Sequence, residues 1–206
     1  MRLQYLLLFV AVLIPIVVAI IFTSQEGYGE GHFGIFERVV PVCYPPGREP
    51  PAADFTLIDQ YNRTVTLSEL WSKPVLVTFT YTYCPDVCPV MHLVLNKTLP
   101  LVPGLFGAVL DVSLDPDRDT PRRLLDYSKG NNYNWTFLTG SYSLLEAVWK
   151  AYGVTRYVEN RGGTPYIVHD VVWAVVQDGK ILGVVKGIPS PETLADLLKK
   201  IVRREC

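Results

Sequence analysis

The sequence predicts an α/β fold, a central mixed sheet flanked by helices, and three observations carry that prediction. From Asp54 onward, short apolar runs alternate with stretches of helical spacing; two of the later runs face each other across Asp178-Gly179; and 49% of the residues are apolar, enough for one sizeable core. A single globular domain over residues 52–206 is therefore expected, with appendages before it.

The domain opens with Phe55-Thr-Leu-Ile-Asp and Thr64-Val-Thr-Leu, which alternate like a half-buried hairpin, and Ser68 then offers a cap for a short helix. Pro74 to Tyr81 is an unbroken β-branched and aromatic run, as expected for a central strand covered on both faces. Val87 to Leu99 has helical spacing, and Phe106 to Ser113 reads as a second buried strand. Thr120 caps a helix that has Pro121 at its first position. Trp135 to Gly140 reads as a third strand and Ser143 to Tyr152 as an amphipathic helix. Val168 to Gln177 and Lys180 to Val185 form a hairpin turning at Asp178-Gly179, and Pro191 to Arg204 closes the chain as a helix. A βαβ core followed by an antiparallel hairpin and a last helix is the thioredoxin-like arrangement, with right-handed crossovers.

Before the domain, Tyr5 to Phe22 is a run of about 18 residues without a charge, just long enough for a spanning helix. Arg2 precedes it and Glu26 and Glu30 follow it, which places the N-terminus in the cytoplasm and the domain outside. Residues 1–23 are thus read as a membrane anchor, giving a single-pass cell-membrane protein with an extracytoplasmic domain. A cleaved secretory signal is the competing reading; no small-x-small site follows closely, and both readings export the domain. Residues 24–51 are rich in Gly and Pro and read as a tether, although the apolar stretch Phe33 to Val42 could equally pack on the domain as an extra strand. A net charge of −1 with scattered Lys and Arg argues against a nucleic-acid partner.

Chemistry concentrates at Cys84-Pro-Asp-Val-Cys-Pro89, where a parallel strand passes into a helix. Open α/β sheets place ligands there, and a helix N-terminus stabilises thiolate. With a helix starting near Pro85, Cys84 and Cys88 become neighbours on one face, able to chelate a soft ion or to cycle through a disulfide. A purely structural bridge explains the pair poorly, because so small a ring removes little entropy from the unfolded chain. Two thiolates suit Cu(I), whereas Cu(II) calls for an imidazole as well. Of the three histidines, His32 lies in the tether and His92 sits a turn past Cys88, where packing or hydrogen bonding suits it better than ligation. His169 falls at the start of the last hairpin, which in a thioredoxin-like fold faces the cysteine-bearing helix.

Thr80-Tyr-Thr-Tyr-Cys-Pro-Asp-Val-Cys-Pro89, Val112-Ser-Leu-Asp-Pro-Asp-Arg-Asp-Thr-Pro121, Phe137-Leu-Thr-Gly140 and Tyr166-Ile-Val-His169 together resemble the Sco/SenC family of copper chaperones, in the family's order. The resemblance runs from about Asp54 to Ile201, and the four-residue cysteine spacing separates it from the CxxC of ordinary thioredoxins. It implies copper, Cu(I) or Cu(II), held by Cys84, Cys88 and His169, and a single N-terminal anchor. It also implies partnership with subunit II of cytochrome c oxidase or with a copper donor protein: copper is delivered to the dicopper centre of that subunit, or its cysteines are kept reduced. The family usually reads Asp-His where this chain has His169-Asp170. A shift of one position turns the side chain to the other face of a regular strand unless a bulge or loop restores it, and Asp170 then becomes a candidate for orienting the ring.

Asp115, Arg118 and Asp119 form a charged loop read first as a turn and helix cap, with holding the cysteine loop or docking a partner as further roles. Cys43 and Cys206 can form a disulfide tying the tether to the last helix, or remain free. The competing function is a thiol-disulfide oxidoreductase in which Cys84 attacks and Cys88 resolves. A peroxidase of the peroxiredoxin kind would carry Thr at the position of Tyr81.

Overall fold

The computed structural model describes residues 39–205. In chain order its strands are β1 (Val40–Cys43), β2 (Thr56–Asp59), β3 (Thr64–Thr66), β4 (Val75–Thr80), β5 (Ala108–Ser113), β6 (Thr136–Thr139), β7 (Arg156–Arg161), β8 (Thr164–His169), β9 (Val172–Gln177) and β10 (Lys180–Lys186). The helices are α1 (Val87–Thr98), α2 (Pro121–Gly130), α3 (Tyr142–Ala151) and α4 (Pro191–Arg203). Eight strands form one mixed sheet in the order β1-β10-β9-β4-β5-β6-β2-β3, with β4, β5 and β6 parallel. This is the α/β arrangement predicted.

The period-2 geometry of β4 explains why the sheet is sandwiched. Val75, Val77 and Phe79, together with Tyr81 just beyond the strand, join one buried cluster with Leu145, Val148 and Trp149 of α3. Leu76 turns to a second cluster, where Met91, Val94 and Leu95 of α1 meet Leu124 of α2 and Leu194, Leu198 and Ile201 of α4. Each fully buried side chain of this size contributes about 1.5–3 kcal/mol. Side-chain caps start the helices where the sequence put them: Thr120 accepts from the Arg123 N–H, Ser141 from that of Leu144 and Ser190 from that of Thr193. Asp178 and Gly179 both adopt positive φ, which closes the β9–β10 hairpin as the Asp-Gly pair predicts.

The structure adds two elements to the central sheet-and-helix reading, of which the first, a strand that begins within the apolar run Phe33 to Val42, is the alternative the sequence offers to a free tether. Residues 40–52, the last part of the segment read as a tether, run along β10: β1 pairs with it antiparallel, and the Ile181 N–H donates to the Pro50 carbonyl. Gly183 permits this close approach, since a Cβ there would meet the Val42 carbonyl at 2.7 Å and Ile201 at 2.9 Å. The second addition is a separate hairpin of β7 and β8, turned by Gly162 and Gly163. The strand expected from Val168 to Gln177 is therefore two strands broken at Asp170 and Val171, and His169 ends the first rather than opening the second. The break follows from Thr155, whose carbonyl accepts the Asp170 N–H while its own N–H donates to the Asp170 carboxylate.

Cys43 is disulfide-bonded. The expectation that it pairs with Cys206 falls on a residue outside the described ones, as do the anchor over 1–23 and His32. Among the described residues no helix is long and apolar enough to cross a membrane.

Candidate metal centre

The cysteine segment leaves β4 at its C-terminal end and makes a tight turn before α1, the Cys84 N–H donating to the Tyr81 carbonyl. Helix α1 begins at Val87, where the helical spacing starts, with Asp86 as its cap, rather than near Pro85. Cys84 consequently lies outside the helix and Cys88 in its first turn, yet the two still meet, because the Cys88 N–H points at Cys84 Sγ across 3.3 Å. Both are free thiols, 7% and 0% exposed.

His169 reaches them from the end of β8, its Nε2 3.4 Å from Cys88 Sγ. Its Nδ1 lies 2.9 Å from the Asp170 carbonyl oxygen, which can only accept, so Nδ1 carries the proton and Nε2 presents a lone pair to the sulfurs. That is the tautomer a metal ligand requires. The one-position shift is thus absorbed at the strand end, and Asp170 orients the ring through its backbone while its carboxylate serves Thr155. The ligand atoms of Cys84, Cys88 and His169 all lie within 4.8 Å of one another, close enough to hold one metal ion.

The two thiols differ electrostatically. A hydrogen bond from the Cys88 side chain, with further ones from the neighbouring backbone, pulls Cys84 down to about 5 against the opposing effect of burial. Burial pushes Cys88 well above the ordinary thiol range, with the adjacent Cys84 charge adding to it. The pair therefore shares one proton, with the thiolate on the more accessible sulfur.

The charged loop after β5 holds the cysteine segment from the side. Asp119 is buried and accepts from Thr82 Oγ1 at 2.6 Å and from Ser113 Oγ at 2.7 Å. Burial raises its carboxyl to about 6 despite these bonds. Arg123 grips Thr82 from the other direction through Nε, and Arg118 pairs with Asp115. Thr120 takes the capping role, leaving Asp119 to hold the loop.

His92 is not among the grouped ligands. It is 1% exposed, 2.7 Å from Asp111 Oδ2, 3.0 Å from Thr80 Oγ1 and 3.0 Å from the Tyr127 hydroxyl, among the rings of Tyr127, Tyr133, Trp135 and Phe137. Two tyrosines that sequence reasoning missed frame the centre. Burial keeps the Tyr81 hydroxyl protonated, and it donates to the Ile167 carbonyl and accepts its N–H, each at 3.1 Å. The Tyr166 hydroxyl donates to Asp86 at 2.6 Å. Both lie inside the motifs quoted above, but spacing carries no sign of a hydroxyl reaching 80 or more positions along the chain.

Fold and site together define a thioredoxin-like domain with a two-thiol, one-imidazole centre at the point where the first parallel strand enters its helix. The sequence model of the SCO1/SenC family matches residues 45–203, and the chain belongs to that family. It is 32% identical to Protein SenC of Rhodobacter capsulatus over 146 residues, 69% of this chain and 66% of that one. It is 31% identical to Protein sco1 of Schizosaccharomyces pombe over 52% of this chain and 42% of the other, so it spans less than two thirds of either relative. Bradyrhizobium japonicum ScoI, solved with copper bound, superposes with a TM-score of 0.64 at 27% identity, covering 74% of this chain and 99% of that one. Arabidopsis thaliana ScoI, also solved with copper bound, gives 0.68 at 23% identity over 75% and 99%, a likeness of fold.

Proposed function

We propose that the protein binds copper through Cys84, Cys88 and His169 and serves as a metallochaperone for the dicopper centre of cytochrome c oxidase subunit II, delivering copper or keeping that subunit's cysteines reduced. The observation that carries this reading is the convergence of two soft sulfur donors and one Nε2 lone pair within 4.8 Å. Such a set suits both copper oxidation states: two thiolates suffice for Cu(I), and the imidazole adds the nitrogen donor that Cu(II) needs. Membership of the SCO1/SenC family and likeness to relatives solved with copper support it. In this reading residues 1–23 anchor the chain in the cell membrane with the domain on the extracytoplasmic side, where subunit II or a copper donor protein can meet it.

The asymmetry of the thiols favours a second reading, a thiol-disulfide oxidoreductase without retained metal. Cys84, held as thiolate, would attack a partner disulfide, releasing one partner thiolate; Cys88, once deprotonated, would then displace the other, leaving an oxidised cysteine pair and a reduced partner. Titrating the reduced full chain with Cu(I) and Cu(II), following thiolate-to-copper charge transfer, separates the two. The chaperone reading expects one copper per chain, with Cu(II) binding lost in His169→Ala. No binding at stoichiometric protein, with Cys84 and Cys88 cycling readily to a disulfide, would leave the reductase.

A further inference from the structure

The hairpin that carries His169 is attached to the rest of the domain in an unusual way. Among the described residues β7 and β8 pair only with each other, and most of β7 is exposed. A two-stranded hairpin is marginal by itself, so contacts with the rest of the domain set where it sits: Ile167 is buried in the first core cluster, Thr155 ties Asp170 just past its end, and side-chain bonds join it to the cysteine segment. Two tyrosines link the same two segments in opposite directions, through three hydrogen bonds. Tyr81, from the cysteine side, engages the backbone of Ile167; Tyr166, from the hairpin side, engages Asp86. Asp86 is also the cap of α1, accepting the Val87 N–H at 2.6 Å, and receives the Cys84 thiol at 3.4 Å when that thiol is protonated. One carboxylate therefore touches the start of the helix bearing Cys88, the turn bearing Cys84 and the strand bearing His169. The Arg161 guanidinium, 3.3 Å over the Tyr166 ring, presses the latter into place.

We propose that Asp86 and Tyr166 form a latch that holds the His169 hairpin against the two thiols, and that this latch decides whether the site retains Cu(II) as well as Cu(I). The inference rests on the copper reading above. Cys84 and Cys88 belong to one short segment and keep their spacing whatever the hairpin does, so the two-sulfur set survives an open latch. The imidazole arrives from 81 positions further along the chain, and its distance to Cys88 depends on the latch. Asp86 and Tyr166 are positioning residues, and an opened latch turns a three-donor site into a two-donor one.

The test uses the full chain, kept in detergent for its apolar N-terminal run, as wild type, Tyr166→Phe and Asp86→Asn, with His169→Ala as reference. Phe keeps the ring beneath Arg161 and removes only the hydroxyl; Asn keeps a capping oxygen and removes the charge. In metal-free protein, amide exchange across residues 156–169 should quicken about tenfold in Tyr166→Phe while the main sheet is unchanged. Cu(II) affinity should fall about 10- to 100-fold, toward that of His169→Ala, and Cu(I) affinity should stay within about twofold. Unchanged exchange, or Cu(I) and Cu(II) weakened in parallel, would overturn the latch. A wild-type chain that retains no copper would refute the parent reading and the consequence for Cu(II), while the latch itself would still stand or fall on the exchange.

Discussion

His92 and His169 present the same imidazole in two settings. His92 has both nitrogens occupied, by Asp111 and Thr80 on one side and Tyr127 on the other, inside a shell of aromatic rings. His169 has one nitrogen committed to a backbone carbonyl and the other aimed at sulfur, and it is only part-buried. Metal ligation needs a free lone pair, an oriented ring and a path for the ion. His169 has all three, whereas a lone pair sealed in a saturated network has no use to a metal.

The comparison is broken most severely by removing the partner of the sealed ring. Asp111→Ala should cost about 3–5 kcal/mol in urea unfolding, because it strands a buried polar group, while the copper stoichiometry of the folded fraction stays at one per chain. A loss of copper at intact stability would instead make His92 part of the site.

Asp119, a carboxylate as thoroughly buried as Asp111, sharpens the contrast through pH. Its folded carboxyl lies near 6 and its unfolded one near the ordinary 3.8, so the folded state binds the proton more tightly. The stability it contributes is full below about pH 4 and is lost as pH rises through about 6, by up to about 3 kcal/mol. Asp119→Asn should remove that slope between pH 4 and 7, as read from denaturation midpoints. An unchanged slope would assign it to other groups.

His169→Ala should behave oppositely to Asp111→Ala. Its stability change should be under about 1 kcal/mol, with Cu(II) affinity falling at least about 100-fold in competition titrations. The smallest effect is expected from Asp170→Asn, since the ring is oriented by the Asp170 backbone: Cu(II) affinity should move by less than about threefold. A larger loss would mean that the carboxylate, not the carbonyl, sets the tautomer.

Much of this was legible in the chain. The β-branched run into Cys84 and Cys88, the Asp178-Gly179 turn and the Thr120-Pro121 cap are local signals, each set by backbone preferences within a few residues, and the elements formed there. The cysteine spacing marked two of the three candidate ligands for the same reason. The β7–β8 hairpin gave no comparable signal: β7 is mostly polar and exposed and shows no apolar alternation, and the hairpin's position depends on bonds to Asp86 and Tyr81 far away in sequence. The docking of residues 40–52 along β10 was one of two alternatives open for the apolar run ending at Val42, and it depends on a remote glycine that leaves room for it.

By itself, then, the sequence determined the α/β order of elements, the strand-to-helix turn that brings two thiols together, and which residue types could take a soft metal. All of these follow from short-range sterics, hydrophobic period and donor chemistry. Only the tertiary structure decided how His169, the histidine the sequence favoured, recovers its aim after a one-position shift, and that Asp119 holds the cysteine loop while Thr120 caps the helix. These are properties of distance and of hydrogen-bond saturation between segments 30 to 80 residues apart, for which linear spacing has no measure.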